Sequence, residues 1–336
     1  MAECPPHPVL SVRDLVVHFD HEQGVTRALE RVSIDLYPGR VLGLVGESGC
    51  GKSVTARAIL QLIDRPGRIL SGQVILDGGT DAEQDLLSLP PESKPMRDVR
   101  GGRIGLIFQE PMAALSMHYT VGNQIIESIV RHRGFSSAKA RDTAIELLRD
   151  VGIPRPEMRI DEYPFRLSGG LRQRVGIALA LAGNPDVLIA DEPTTALDVT
   201  TQAQILTLLR KLQTEKQVAL LLITHDMGVI AEMADDVVVM YAGRVAEFAS
   251  VDAIFNRPQH PYTRALLRSV PSVFAQSRER LPTIGGTVPT GSARPTGCPF
   301  HPRCPEAIPG RCSVSLPAPV DPGRASASCF LAEADA

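Results

Sequence analysis

Residues 41–59 read VLGLVGESGCGKSVTARAI, and this stretch decides the fold. The apolar run VLGLV leads into GESGCGKS, which matches the pattern G-x-x-x-x-G-K-[ST], and a helical pattern follows. Glycines allow successive backbone N–H groups to point inward around phosphate oxygens, and the next helix adds the positive end of its dipole. The order strand, phosphate-binding loop and helix predicts an α/β fold of the P-loop type that binds a nucleoside triphosphate.

Within this loop, Lys52 is expected to reach the β- and γ-phosphates, and Ser53 is expected to ligate Mg²⁺. Cys50 is interpreted as a small residue that fills the loop. The predicted nucleotide contacts of the segment are Gly46, Ser48, Gly49, Cys50, Gly51, Lys52, Ser53 and Val54.

A second apolar run ends in two carboxylates, because residues 187–192 read VLIADE. Asp191 is predicted to hold Mg²⁺, directly or through water. Glu192 is predicted to act as the general base that polarises the attacking water, a role typically worth about 10²- to 10⁴-fold in rate. This arrangement has the form of a Walker B motif and indicates hydrolysis of the nucleotide.

The remaining chain alternates between strand and helix patterns. Residues 9–19, 28–37 and 72–76 are predicted strands, and residues 121–183 have a mainly helical period. Residues 219–223 are continuously apolar, as in a strand that is buried on both faces of a parallel sheet. The alternation predicts an α/β core with right-handed crossovers.

Residues 167–174, LSGGLRQR, resemble the LSGGQ signature of ATP-binding cassette (ABC) ATPases. In the same order as in that family, the chain also has sequences that resemble the Q-loop, the D-loop and the switch histidine: Gln109-Glu110-Pro111, Thr195-Ala196-Leu197-Asp198 and Thr224-His225-Asp226. The resemblance covers residues 8–250.

This resemblance implies an ABC nucleotide-binding domain with a RecA-like core, an antiparallel β subdomain, an α-helical signature subdomain and a small Cys-rich extension. The implied bounds are 8–110 and 184–250 for the core with the β subdomain, 111–183 for the helical subdomain, and 251–336 for the extension. The cofactors implied are ATP and Mg²⁺.

The resemblance also implies a head-to-tail nucleotide sandwich, in which the signature of one cassette caps the ATP of another. The signature and D-loop residues carried over for nucleotide binding are Ser168, Gly169, Gly170 and Asp198. Gln109 is implied to sense Mg²⁺ and water, and His225 is implied to contact the γ-phosphate and orient Glu192. Phe19 is the candidate for stacking on adenine, although packing in the core would explain it nearly as well.

Three further stretches resemble ATPases of dipeptide, oligopeptide and nickel importers: EPMAALSMHYT at 110–120, PQHPYTRALL at 258–267 and GCPFHPRCP at 297–305. Ser116-Met117 stands where these proteins usually have Asn-Pro. The resemblance implies a second, homologous cassette, two membrane permease subunits and an extracytoplasmic substrate-binding protein as partners. It also implies a peripheral location on the cytoplasmic face of the inner membrane, with di- or oligopeptides as cargo and nickel or another small ligand as the alternative.

Four of the six cysteines are spaced C-x5-C-x7-C-x16-C near the end of the chain: Cys298, Cys304, Cys312 and Cys329. Four thiolates suit a [4Fe–4S] cluster or a tetrahedral zinc site, and disulfides or free thiols are the remaining alternatives. Structural zinc sites usually contain a C-x₂₋₄-C pair, which this segment lacks. The family resemblance favours the iron–sulfur cluster, with a structural role.

Composition narrows the class of protein further. The 336 residues include 35 Lys and Arg against 38 Asp and Glu, a formal charge of −3, which argues against a globally basic nucleic-acid binder. A chromosome-maintenance ATPase is the alternative class, but those proteins carry long coiled coils between P-loop and signature, and no heptad run separates Lys52 from Ser168. Apolar runs too short to span a bilayer, with no secretory signal, predict that any membrane role runs through a partner.

Overall fold

A computed structural model describes residues 7–22, 24–195, 197–269, 284–289 and 294–332. Its strands are β1 Leu10–His21, β2 Gly24–Leu36, β3 Val41–Val45, β4 Gly67–Leu76, β5 Gln84–Asp85, β6 Ile104–Ile107, β7 Val187–Asp191, β8 Ala219–Ile223, β9 Asp236–Tyr241, β10 Arg244–Ser250 and β11 Ser326–Ala327. Its α-helices are α1 Lys52–Ile59, α2 Lys94–Val99, α3 Pro111–Ala114, α4 Val121–Arg133, α5 Ser137–Asp150, α6 Pro156–Arg159, α7 Gly169–Leu181, α8 Val199–Lys216, α9 Met227–Met233, α10 Val251–Asn256 and α11 Pro261–Arg268.

The described residues divide into two compact units. The first unit contains Leu36–Val41 and Ser88–Ile223, together with the residues just before Leu10. The second contains Leu10–Asp35, Leu42–Leu87 and the described residues from Thr224 onward. The predicted helical segment 111–183 therefore belongs to the first unit, and the Cys-rich extension shares the second unit with the phosphate-binding loop. The domain bounds inferred from the sequence stay a prediction.

In the first unit, β6, β7 and β8 form parallel pairs, with Ile104 opposite Val187 and Val187 opposite Ala219. Strands β7 and β8 are buried along their whole length, as expected for strands covered on both faces. Ile205, Leu208, Leu209 and Leu212 form the buried apolar face of α8. Helices α4, α5 and α7 pack against one another and form the helical part of this unit.

In the second unit, β1, β2, β4 and β5 form an antiparallel sheet in the order β2-β1-β4-β5, which confirms the antiparallel subdomain. Strand β3 pairs in parallel with β9, and β10 pairs antiparallel with β9 and β11. An apolar cluster around Tyr241, Tyr262 and Phe300 attaches the Pro-rich extension to these strands. Described apolar residues of the extension, Tyr262 and Phe300 among them, thus share the core of the second unit.

Candidate nucleotide site

The phosphate-binding loop lies in the second unit, between the end of β3 at Val45 and the start of α1 at Lys52. Gly46 has φ +150°, and a Cβ atom there would lie 2.3 Å from the carbonyl oxygen of Met240. Gly51 precedes α1 with φ +108°, in the left-handed region that favours glycine. The sequence therefore needs glycine at both positions for the chain to turn tightly against β9.

The side chain of Lys52 lies along this loop and is 6% exposed. Its Nζ atom donates to the carbonyl oxygens of Gly46, at 2.8 Å, and Glu47, at 3.2 Å. Cys50 is fully buried beside it, and burial raises the pKa of the Cys50 thiol. The loop thus presents an ammonium group, with a protonated thiol filling the space behind it.

Glu47 in this loop makes long-range contacts, although the motif assigns no role to its position. Its backbone N–H donates to the hydroxyl of Tyr262 at 2.9 Å. Its two carboxylate oxygens accept from the Arg303 guanidinium at 2.7 and 2.9 Å. No local pattern could have revealed these contacts, because the partners lie 215 and 256 positions away in the chain.

Two further predicted residues belong to the same unit. Phe19 is half-buried near the end of β1, and its ring stacks on His21 with 6.4 Å between centroids. It is not part of the fully buried core. His225 is exposed, directly after β8 in the chain, and Asp226 caps α9 by accepting from the N–H of Gly228 at 2.8 Å.

The predicted general base lies in the first unit, where β7 ends. Asp191 is 7% exposed at the last position of the strand, and Glu192 follows it. The Oε2 atom of Glu192 accepts from Gln109 Nε2 at 2.9 Å and from Thr195 Oγ1 at 2.8 Å. The structure thus brings together the Q-loop glutamine and the candidate base. Thr195 belongs to the D-loop sequence, and the family motif does not predict its contact with Glu192.

The backbone of Glu192 adopts φ +46°, in the left-handed region, although the residue is not a glycine. Such a conformation costs about 1–3 kcal/mol and persists only where surrounding contacts hold it. Its N–H donates to the carbonyl oxygen of Ile223 at 2.9 Å, which ties the strained residue to the end of β8. A residue with a strained backbone, whose carboxylate accepts from two side-chain donors, is typical of a functional position rather than of a surface turn.

The signature sequence begins α7, with Ser168 as the residue before its first turn. Ser168 and Gly169 are exposed, and a Cβ atom on Gly170 would lie 3.0 Å from Thr201 Cγ2. Buried Gln173, one turn further along α7, donates from Nε2 to the carbonyl oxygen of Pro193 at 2.8 Å. This bond joins the signature helix to the loop that carries Glu192.

Asp198 of the D-loop caps α8. Its carboxylate accepts from the N–H of Thr201 at 3.0 Å and from Thr201 Oγ1 at 2.7 Å, and these hydrogen bonds lower the pKa of Asp198. Ala196 of the same loop lies outside the described residues. The observed contacts of Asp198 are those of a helix cap, and its proposed contact with nucleotide rests on the family pattern.

The four clustered cysteines line one cavity in the second unit, together with His260 and Phe300. Burial raises the pKa of Cys298, Cys304 and Cys329, that of Cys304 to about 11, and the neighbouring thiols add to this rise. Among the described cysteines none is in a disulfide. Across the described part of the chain, no group of three or more His, Cys, Asp or Glu side chains is placed to hold a metal ion.

A glycine loop between a buried strand and a helix, together with an acidic strand end, defines a P-loop nucleoside triphosphatase. The family described as "ABC transporter" matches residues 29–195, and the family described as "Oligopeptide/dipeptide transporter, C-terminal region" matches residues 246–312. The chain belongs to the ABC transporter family of ATPases and carries this oligopeptide/dipeptide-type C-terminal region.

Relatives of the chain align along nearly its full length. It is 49% identical over 310 residues to the dipeptide transport ATP-binding protein DppD of Escherichia coli K12, covering 92% of each chain. It is 50% identical over 322 residues to the probable peptide ABC transporter ATP-binding protein y4tR of Sinorhizobium fredii, covering 95% of this chain and 94% of the relative.

Among solved structures, the dimeric post-hydrolysis state of the ATP-binding cassette MJ0796 bound to ADP and Pi is similar, with a TM-score of 0.63 and 27% identity. The match covers 72% of this chain and 98% of that one. These comparisons confirm the ABC ATPase fold. Among the described residues, no helix has both the length and the apolar character needed to cross a membrane.

Proposed function

We propose that this chain is the ATP-hydrolysing subunit of a membrane importer for dipeptides or oligopeptides. The observation that carries the proposal is the identity of about 50% to peptide-transport ATP-binding proteins along nine-tenths of the chain. The names of these relatives favour peptide over nickel as the cargo, and they favour transport over nucleic-acid maintenance. The oligopeptide/dipeptide-type C-terminal region supports the same choice.

The proposed division of labour follows the motifs. Lys52 and the backbone of residues 46–53 bind the phosphates, and Phe19 stacks on adenine. Ser53, Asp191 and Gln109 hold Mg²⁺. Glu192 accepts the proton of the attacking water, and His225 contacts the γ-phosphate. The hydrogen bonds from Gln109 and Thr195 support this role, because they hold the Glu192 carboxylate in one orientation.

The partners in the proposal are a second cassette, two permease subunits and a substrate-binding protein. The exposed start of α7 supports the sandwich arrangement, because its free N–H groups can donate to a γ-phosphate held by another cassette. The similar cassette MJ0796 is dimeric in its ADP- and Pi-bound state. The proposed location is the cytoplasmic face of the inner membrane, through contact with the permeases.

A [4Fe–4S] cluster bound by Cys298, Cys304, Cys312 and Cys329 is a further part of the proposal. Their shared cavity supplies four thiols, the ligand set of such a cluster. A [4Fe–4S] cluster fills the space between its four thiolates, so their sulfur atoms lie farther apart than the ligand atoms of a single metal ion. Bound there, it would crosslink the parts of the chain that carry the four cysteines, which is a structural role.

The cluster is tested on protein purified without oxygen. We expect iron and sulfide in equal amounts with broad visible absorbance, and we expect Cys304→Ser to lose both while the control Cys4→Ser keeps them. Wild-type protein without iron and sulfide would refute the cluster, and zinc in their place would assign the tetrahedral alternative.

The ATPase assignment is tested with Lys52→Ala. We expect the variant to lose binding of a fluorescent ATP analogue and to lose phosphate release, because the ammonium that contacts the phosphates is gone. A Lys211→Ala variant on the exposed face of α8 is the matched control, since it removes an ammonium that pairs with Glu215 one turn along the same helix. Unchanged nucleotide affinity in Lys52→Ala would contradict the assignment.

A further inference from the structure

Glu47 is held at three points, and two of them come from the C-terminal region. Tyr262 accepts a hydrogen bond from the Glu47 N–H, and Arg303 binds the Glu47 carboxylate through two nitrogens. The third contact is made within the phosphate-binding loop, where Lys52 donates to the Glu47 carbonyl oxygen. Every polar group of the loop's second residue therefore has a fixed partner.

Arg303 is itself rigidly placed. Its side chain is 6% exposed, Nη1 also donates to Tyr241 OH at 3.2 Å, and Nε donates to the carbonyl oxygen of Gly285 at 2.7 Å. A planar guanidinium fixed on several sides gives a bidentate pair with a carboxylate in one geometry, and Lys could not reproduce it. The ion pair therefore connects the extension to the loop through a buried and fixed Arg303 side chain, unlike a solvent-exposed ion pair.

Tyr262 is equally constrained. It is 0% exposed, and its ring packs against Tyr241 and Phe300 with centroids 4.7 and 5.4 Å apart. Phe300 in turn lines the cavity of the four cysteines. The contacts of Glu47 are therefore continuous with the packed centre of the extension.

We propose that Arg303 and Tyr262 are positioning residues that hold the phosphate-binding loop in its binding conformation, so that nucleotide affinity depends on the C-terminal extension. A loop that binds phosphate through its backbone must be ordered before or during binding, and ordering it in advance removes an entropic cost. The extension thereby acts on ATP binding, in addition to any structural role of its cysteines. This inference rests on the proposed role of residues 46–53 as the nucleotide loop.

The test measures dissociation constants for ATP and ADP, and the thermal midpoint, in the full-length chain. Arg303→Gln and Glu47→Gln remove the ion pair from its two ends, and each is expected to weaken both nucleotides about fivefold or more, the lower end of couplings between sites. Tyr262→Phe keeps the ring and removes the acceptor, and a loss of about twofold is expected. Glu306→Gln is the control, because it breaks the Arg264–Glu306 pair in the same extension without touching the loop.

The double variant Glu47→Gln/Arg303→Gln separates positioning from general destabilisation. If the two residues act through one contact, the double variant binds no more weakly than either single variant. Losses that add in the double variant, or an affinity for Arg303→Gln equal to wild type, would overturn the inference. Lys52→Ala distinguishes the two proposals: if it loses nucleotide while Arg303→Gln does not, only the positioning role fails.

Discussion

The phosphate-binding loop and the Glu192 loop both bear predicted catalytic machinery, but different forces hold them in place. The first is shaped by glycine, since Gly46 and Gly51 occupy backbone conformations and spaces that no side chain could share. The second is a strained turn at a non-glycine residue, held by side-chain donors from Gln109 and Thr195. The comparison shows that glycine-dependent backbone conformations can be predicted from the sequence, whereas side-chain contacts such as Gln109 with Glu192 or Glu47 with Arg303 become visible only in three dimensions.

The largest expected effect comes from Glu192→Gln. The amide keeps the shape of the side chain but cannot accept a proton, so we expect turnover to fall about 10²-fold or more. Nucleotide binding should stay intact, because phosphate contacts belong to the other loop. Steady-state phosphate release measures turnover, and the dissociation constant for ATP measures nucleotide binding. Unchanged turnover would refute the general-base role.

Gly46→Ala tests the steric half of the comparison. The added Cβ would lie 2.3 Å from a backbone oxygen of β9, so the loop must move. Because a shift of about 1 Å costs up to about 10²-fold where geometry matters, we expect nucleotide affinity to fall at least about tenfold. Gly176→Ala in α7 is the control, since no described atom beyond its chain neighbours and the nearby backbone of its own helix lies within 4 Å of its Cβ position. Wild-type affinity in Gly46→Ala would show that the loop is not sterically specified.

Thr195→Val tests the side-chain half. The substitution removes one of two donors to Glu192 Oε2 and keeps the volume of the side chain, so we expect a loss of turnover of about two- to tenfold with no change in ATP affinity. Thr207→Val on α8 is the matched control, because that hydroxyl donates to the carbonyl oxygen of Ala203 within its own helix. An equal loss of turnover in both variants would show that the loss does not come from the contact of Thr195 with Glu192.

The smallest expected effect concerns pH and the helical part of the first unit. Burial and the charge of Arg131 lower the pKa of His132, while Asp98 opposes them. The unfolded chain therefore binds this proton at higher pH than the folded chain, and α4 should lose stability as pH falls through about 6.5. Hydrogen exchange of α4 peptides measures this, and His132→Gln should reduce the dependence. The same slope in that variant would contradict the assignment.

The sequence predicted the strand at 41–45, the loop after it and the order of the ABC motifs, because these features are local. Bounds were less predictable. The helical pattern after the loop continues to Ile63 in the sequence, but α1 ends at Ile59, because Gln61 adopts φ +50° and the Leu62 N–H donates back to the Arg57 carbonyl oxygen. The strand predicted at 72–76 begins earlier, at Gly67. Gly72 therefore lies inside β4, at the point where its pairing with β1 is irregular.

Parts of the candidate site depend on contacts that no periodicity encodes. Glu47 meets Tyr262 and Arg303 across more than two hundred positions, and Gln173 meets Pro193 across a loop. Glu47 occupies one of the unspecified positions of the motif G-x-x-x-x-G-K-[ST], so the motif does not predict these contacts. The cysteine spacing predicted a shared location, which the structure has, while the bound group stays a prediction.

The most direct test of the proposed function is peptide-stimulated phosphate release by this chain in vesicles that contain the proposed permease subunits, second cassette and substrate-binding protein. The account predicts that release rises when a dipeptide or oligopeptide is supplied and that Glu192→Gln in this chain removes the rise while ATP remains bound. Release that ignores peptide, or that persists undiminished in Glu192→Gln, would contradict it.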